Sequence, residues 1–346
     1  MSPANFAVSL TAALLAGCAG SVTVPRADGS RDNRLEEESV VPSINPIAFA
    51  YVVISVADMD RALGLWVNRF GMQIVTRRDG TDPGLARAWG LERDGIIDQA
   101  LLRTPGQSSG GVHLVRFKLP GSAVREGAAT TDLLPKSVDI AVRDIQQRHD
   151  ELSAAGFQFR SAVGRMVNNG NEFLEVHMSA HDGLNLVLLE QPAKPEPVSD
   201  KGYGVAPQII VITPDNARES VFLQSVLGLP ALMHNRIGGP EIERTVGLPA
   251  GASLDVRILG DAADHYGRLE LVQYEGVTQR DLYARARPPA RGMLSVTYFV
   301  KDLPGLLVRG RQAGIVDHGA VNSVFGETRM ASIVSPAGLR IDFVAF

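Results

Sequence analysis

Four stretches of the chain repeat one order of apolar and polar positions: a short apolar run, an aspartate, a longer run with apolar residues at helical spacing, and a glycine. They read YVVISVADMDRALGLWVNRFG, SVDIAVRDIQQRHDELSAAG, QIIVITPDNARESVFLQSVLG and SVTYFVKDLPGLLVRGRQAG. The apolar runs predict strands, and the change of period at Asp58, Asp144, Asp215 and Asp302 marks where each strand gives way to a helix. In the first copy Met59, Leu63, Trp66 and Phe70 fall on one helical face. An aspartate there accepts hydrogen bonds from the free amides of the first turn. The glycines Gly71, Gly156, Gly228 and Gly314 supply the left-handed residue that ends the helix.

The spacing adds a second level of order. Successive aspartates lie 86, 71 and 87 residues apart, a long, short, long pattern that groups four modules as two pairs. After each helix the pattern predicts three further strands. These are Met72 to Arg77, Ile96 to Arg103 and Gly111 to Leu119 in module one, and Gln158 to Ser161, Glu172 to Met178 and Leu184 to Glu190 in module two. Module three offers Ala231 to Asn235, Ser253 to Leu259 and Arg268 to Tyr274; module four offers Val316 to Ala320, Thr328 to Val334 and Leu339 to Val344. The expected organisation is a first paired-module domain over 45–193 (modules 45–120 and 134–193) and a second over 204–346 (modules 204–276 and 292–346). The linker QPAKPEPVSDKGYG, rich in proline and lysine, marks the boundary.

Composition and charge narrow the picture. With 346 residues, 45% hydrophobic and 21% charged, the chain is long enough for two sizeable cores, and a net charge of −4 carries no basic footprint for nucleic acid. Residues 1–18 resemble a bacterial lipoprotein signal: an apolar, alanine-rich run ends in LAGC, and Cys18 is the chain's single cysteine. Lipidation at Cys18 would anchor the protein to the cell envelope, facing periplasm or exterior, with 19–44 as a flexible tether and no other membrane contact. MSPANF departs from that pattern by lacking a basic residue, and a cytoplasmic protein with an incidental cysteine is the alternative.

The segments SVADMDRALGLWVNRFGMQIV and ITPDNARESVFLQSVLGLPAL, with the closing strands HDGLNLVLLE and SPAGLRIDFVAF, resemble the vicinal oxygen chelate superfamily, which includes glyoxalase I, bleomycin-resistance proteins and extradiol dioxygenases. The resemblance covers nearly all of Ile47 to Phe346 and implies an α+β fold. In it, βαβββ modules pair to form curved mixed sheets, each around a cavity with helices outside. It also implies two metal-ligand places per module, one seven residues before the turn aspartate and one in the last strand. The first pair holds Tyr51 and His113, then Ser137 and Val187; the second holds Gln208 and Glu270, then Ser295 and Asp342.

These residues set the chemical expectations. The first group lacks ligands for a firmly held ion. Tyr51 and His113 remain candidate catalytic groups there, although a lone histidine on an inward strand is commonly a hydrogen-bonded core residue. Gln208, Glu270, Ser295 and Asp342 would give an oxygen-rich site for Mg, Mn, Ca or Zn, with Glu270 as ligand or base. The competing reading pairs the carboxylates with Arg268 or Arg340. Glu175 with His177 on one strand face, and His265 with Tyr266 in a loop, are weaker candidates; His181 sits in the turn before Asp182 and Gly183, and His149, His234 and His318 have no partner pattern. The two-histidine set of extradiol cleavage is absent, and no GxSxG, HExxH, CxxC or phosphate-loop pattern occurs. The expected function is a metal-assisted lyase, isomerase or epimerase of a small oxygenated molecule, as monomer or homodimer. The alternative is a metal-free small-molecule binder of the bleomycin-resistance type.

Overall fold

A computed structural model describes residues 47–168 and 170–346, so Cys18 and the tether lie outside the described residues. Module one runs β1 (Tyr51–Ser55), α1 (Met59–Leu63) continuing into a π-helical turn (Gly64–Arg69), β2 (Gln73–Asp79), α2 (Pro83–Ala88), β3 (Ile96–Arg103) and β4 (Gly111–Phe117). Module two follows with β5 (Pro135–Val142), α3 (Ile145–Ala154), β6 (Gln158–Phe159), β7 (Gly164–Asn168), β8 (Asn171–Ser179) and β9 (Asn185–Glu190). Module three contains β10 (Tyr203–Ile212), α4 (Asn216–Leu227), β11 (Ala231–Gly238), α5 (Pro240–Val246), β12 (Ser253–Leu259) and β13 (Arg268–Glu275). Module four contains β14 (Gly292–Phe299), α6 (Leu303–Gly310), β15 (Val316–Ser323), β16 (Gly326–Val334) and β17 (Arg340–Ala345).

The predicted helix boundaries follow the capping chemistry with one exception. Asp58, Asp215 and Asp302 accept hydrogen bonds from the amides of Arg61, Arg218 and Gly305 at 2.9 to 3.0 Å, and all four closing glycines have positive φ. Asp144 does not cap its helix. It adopts a left-handed conformation (φ 59°), and the Glu190 carboxylate from β9 accepts the amides of Asp144 and Ile145 instead. The helices α2 and α5 and the strand β7 have no counterpart in the sequence reading.

The described residues form two mixed α+β sheets, ordered β15-β16-β17-β14-β1-β4-β3-β2 and β11-β12-β13-β10-β5-β9-β8-β6, with β7 paired to β8. Each βαβββ module contributes one parallel pair (β1 with β4, β5 with β9, β10 with β13, β14 with β17). The modules are joined antiparallel through β1 with β14 and β5 with β10. The sheets therefore couple module one with module four and module two with module three, across the expected boundary at 193–204. The β5–β10 seam carries bulges on both sides of Ile209–Ile210. The sheets also bond to each other: Phe49 donates to the Gly267 carbonyl at 2.8 Å, and Val205 to Thr104 Oγ1 at 3.0 Å.

Each sheet has an inner face covered in the same way. On the sheet of modules one and four, α2 packs on β15 so closely that a Cβ at Gly84 would stand 2.1 Å from the Asn322 carbonyl oxygen. On the other sheet, α5 packs on β7 and β8, and a Cβ at Gly164 would stand 2.4 Å from Thr245 Oγ1.

Candidate functional site

The inner face of modules one and four is filled. Tyr51 and His113, brought to one face by the β1–β4 register, are 1% and 0% exposed. Phe325, from the turn between β15 and β16, packs on both rings at centroid distances of 6.0 and 5.4 Å, while Trp89 flanks the histidine. His113 Nε2 lies 2.9 Å from Gln99 Oε1, and Gln99 Nε2 donates to Asp82 Oδ2 at 2.9 Å. Since the glutamine amide is committed to the carboxylate, its oxygen must accept, which places the histidine proton on Nε2. Asp82 also caps α2 through Leu85 and accepts the Val324 amide at 2.9 Å. Burial pushes the imidazolium of His113 down to about 3, so the ring is neutral at physiological pH. Burial likewise raises the Tyr51 phenol, opposed by Arg103, whose guanidinium lies 5.1 Å from the ring centroid. Both residues serve here as packed, hydrogen-bonded core.

Ser295 and Asp342 belong to this same sheet. Asp342 is 1% exposed, accepts from Ser295 Oγ at 3.0 Å and from Arg340 at 2.9 Å, and is thereby neutralised within its own strand. Arg340 is the competing partner that sequence reasoning had named. Glu270 stands on β13 in the other sheet, so the expected convergence of Glu270 with Asp342 does not occur. Module four shares its sheet with module one, not with the module three that precedes it.

Modules two and three instead gather a different set. The β10–β13 register aligns Ile210 with Glu270, and the β5–β10 register aligns Ile210 with Ser137, which turns Gln208, Glu270, Ser137 and Asp139 to one face. Gln208 Nε2 donates to both carboxylates, to Asp139 Oδ2 at 2.9 Å and to Glu270 Oε2. Ser137 Oγ and Asp139 Oδ1 are buried without a partner. Along the neighbouring strand Glu175 Oε1 lies 2.8 Å from His177 Nε2, while Asn185 Nδ2 donates to His177 Nδ1 at 3.2 Å. The histidine is therefore a fully satisfied, neutral positioning group for Glu175, its pKa lowered mainly by burial. Glu175 keeps 16% of its side chain exposed, so the cluster reaches solvent at this residue.

Two further groups complete the chamber. Lys136 occupies the bulge where Ser137 pairs with Ile210 and Pro135 with Val211, and its Nζ donates to the Tyr274 hydroxyl. Tyr274 lies four residues along β13 from Glu270 and so shares its face. Burial, reinforced by Arg160 and Arg125, lowers the Lys136 ammonium to about 7. Burial, reinforced by Glu175 and opposed by Lys136, raises Glu270 to about 8. Asp139 is raised as well, first by burial and then by Glu270 and Glu175. Two acids this close in a dry setting do not both ionise freely, so one holds a proton while the other accepts one.

Sequence reasoning named Gln208 and Glu270 but missed Asp139, Lys136 and Tyr274. The strand period of two was a usable signal for Asp139 and Tyr274, two residues from Ser137 and four from Glu270. No local pattern announces the bulge that turns Lys136 inward. The remaining histidines are engaged elsewhere: His181 accepts from Trp66 Nε1 at 2.9 Å, His234 pairs with Asp255 at 2.8 Å, His318 with Ser332 at 2.9 Å, His149 with Asp150 at 3.0 Å, and His265 with Glu196. Arg268 bonds the carbonyls of Asp261 and Asp264 rather than Glu270.

Comparison with known proteins places this geometry. Residues 48–188 match the Glyoxalase/Bleomycin resistance protein/Dioxygenase superfamily. Over the longer span, the glyoxalase-like fold is similar to glyoxalase I from Zea mays, at TM-score 0.57 and 18% identity, covering 86% of this chain and 92% of that one. It is also similar to a putative dioxygenase from Bacillus subtilis, at TM-score 0.51 and 12% identity, covering 88% of this chain and 86% of that one. No curated protein matches the sequence. At the four ligand places of the glyoxalase-like pair formed by modules two and three stand Gln208, Glu270, Ser137 and Val187. Among the described residues no three histidine, cysteine, aspartate or glutamate side chains gather as a metal-holding group. The donor set thus does not fit a firmly held divalent ion, and what this chamber offers is proton exchange between carboxyl groups beside a lysine and a phenol.

Proposed function

We propose that the protein is a glyoxalase-like enzyme of the isomerase, epimerase or lyase type, which moves a proton on a small oxygenated molecule in the chamber of modules two and three. The observation that carries this reading is the single amide of Gln208 donating to both Glu270 and Asp139. One member of the pair in its acid form protonates an oxygen or carbon of the substrate while the other, ionised, takes a proton from the neighbouring carbon. Lys136 and Tyr274 supply N–H and O–H donors toward the substrate oxygen, and Ser137 Oγ and Asp139 Oδ1 are free to bond it. The metal assistance expected from the sequence is not carried forward, because Ser137 and Val187 contribute no complete donor set.

The test is proton washout. A panel of small 2-hydroxy and 2-oxo acids is incubated with the protein in D2O and followed by proton NMR. Glu270→Gln is expected to slow exchange by about 100-fold or more. Exchange unchanged in both Glu270→Gln and Asp139→Asn would remove the reading. Saturable binding without exchange would instead favour the metal-free binder, which the missing donors at Ser137 and Val187 also suit.

The envelope location is part of the same proposal. Among the described residues no helix is long and apolar enough to cross a membrane, and an acyl chain on Cys18 would tether the enzyme. Loss of membrane-fraction recovery in Cys18→Ser is the expected result; unchanged recovery would oppose it.

A further inference from the structure

Lys136 is placed unlike the chain's other four lysines. Lys118, Lys194, Lys201 and Lys301 are exposed, whereas Lys136 is 4% exposed on the inner face of the sheet. Among the described residues it forms no ion pair: its Nζ donates to the Tyr274 hydroxyl and lies 5.0 Å from that ring's centroid. The neighbouring guanidinium groups are committed to carbonyl oxygens, Arg125 to Pro135 and Ala129 at 3.4 and 2.8 Å, and Arg160 to Val246. Glu175 and Glu270 favour the ammonium, but burial and the two guanidinium groups outweigh them, and the amine that a buried ammonium leaves is nucleophilic. The ammonium is held at about 7, so a large share is free amine at neutral pH.

We propose that Lys136 captures the carbonyl carbon of a small aldehyde or ketone as an imine, an inference that rests on the proton-transfer reading of the same chamber. The amine lone pair forms the C–N bond while the carbonyl π pair moves to oxygen, which takes the Tyr274 hydroxyl proton. The phenolate recovers that proton from the nitrogen, leaving a neutral carbinolamine. Glu270 in its acid form then protonates the hydroxyl, water leaves and a protonated imine remains. Amine, carbonyl and one proton give iminium and water, with no change of oxidation state. Glu270 is now a carboxylate, ready to accept the proton from the adjacent carbon. The iminium withdraws electrons from that carbon, the service a divalent ion would otherwise provide. This explains chemically how the chamber works with Ser137 and Val187 at two ligand places.

The experiment is reductive trapping on the full protein. Glycolaldehyde or pyruvate is added with sodium cyanoborohydride, and adducts are located by peptide mass mapping. The expected result is about tenfold or more adduct on Lys136 than on any exposed lysine, and no such adduct in Lys136→Arg, with folding of that variant checked by circular dichroism. Map positions on the wild-type protein decide the question even where the variant fails to fold. Adduct spread evenly over the five lysines would overturn the proposal. Proton washout that depends on Glu270 without any Lys136 adduct would overturn the imine alone; absence of both would overturn the proton-transfer reading too.

Discussion

Glu270 and Lys136 are displaced toward neutrality from opposite sides by burial in one chamber, and the two displacements leave opposite marks on stability. For Glu270 the folded value of about 8 lies above the ordinary 4.5, so its contribution is present at low pH and is lost as pH rises from about 4.5 through 8. For Lys136 the folded value of about 7 lies below 10.5, so its contribution is present at high pH and is lost as pH falls through 7. Glu270→Gln is expected to shrink the fall in Tm between pH 5 and pH 8; an unchanged fall measured by calorimetry would show that the carboxyl is not held in this way. His113 marks the acid side. Its folded value of about 3 against the ordinary 6.5 makes the protein lose stability as pH drops through that window, at about 1.4 kcal/mol for each pH unit crossed. His113→Gln, which keeps a neutral hydrogen-bonding group toward Gln99, is expected to flatten urea-unfolding stability between pH 6 and pH 4, and equal acid sensitivity in both proteins would count against it. Gln208 and Glu270 were legible as candidates because ligand places are fixed by distance from the turn aspartate. Lys136 was not, since its partner Tyr274 arrives from a strand 138 residues away and a bulge turns it inward.

Among elements, the short helices α2 and α5 decide what each inner face becomes. Asp82 begins α2, bonds Gln99 and takes the Val324 amide, so one carboxylate pins both the helix and the β15–β16 turn over His113. That latch carries Phe325 onto the position a ligand would need. The equivalent helix α5 meets its hairpin through more exposed contacts, with Glu241 accepting from the Arg165 amide at 3.2 Å and Arg244 donating to the Ala162 carbonyl at 3.2 Å. The chamber beneath retains partly exposed Gln208, Glu270 and Glu175. Gly84 tests the tight side. Because a side chain there meets a backbone oxygen that has no rotamer to yield, Gly84→Ala is expected to cost about 1–3 kcal/mol in chemical denaturation. A cost near zero would mean that α2 moves freely on β15. Neither helix was visible in the sequence, because six or seven residues between strands give too little periodicity to separate a helix from a loop.

Across the whole molecule, the chain returns on itself: β14 completes the sheet begun by β1, after modules two and three have formed theirs. Neither 45–193 nor 204–346 contains a finished sheet, and each would expose the seam strands β1 and β5 or β10 and β14 with their buried side chains. The Asp132–Arg280 ion pair and the Gln279 side-chain amide on the Thr131 carbonyl, at 2.7 Å, add further ties across the boundary. The two halves produced separately are expected to lack a cooperative thermal transition and to regain one on mixing, followed by circular dichroism. A cooperative melt of either half alone would show that the sheets re-pair within a half.

The sequence by itself determined the module. Strand period, aspartate cap and terminal glycine are local properties, each set by backbone sterics and by the hydrogen-bonding needs of a helix end, and three of the four caps formed as their residues dictate. It also placed Gln208 and Glu270 on an inner face, since alternation along a strand is fixed by the pleat. Which modules share a sheet was decided only in three dimensions, because spacing along the chain measures linker length and not the match of apolar seams. The same seam, through its bulges, brought Lys136 to Tyr274 and set Asp139 beside Gln208, while Arg340 and Phe325 closed the other face. The chemistry proposed for this protein rests on that choice of partner strands.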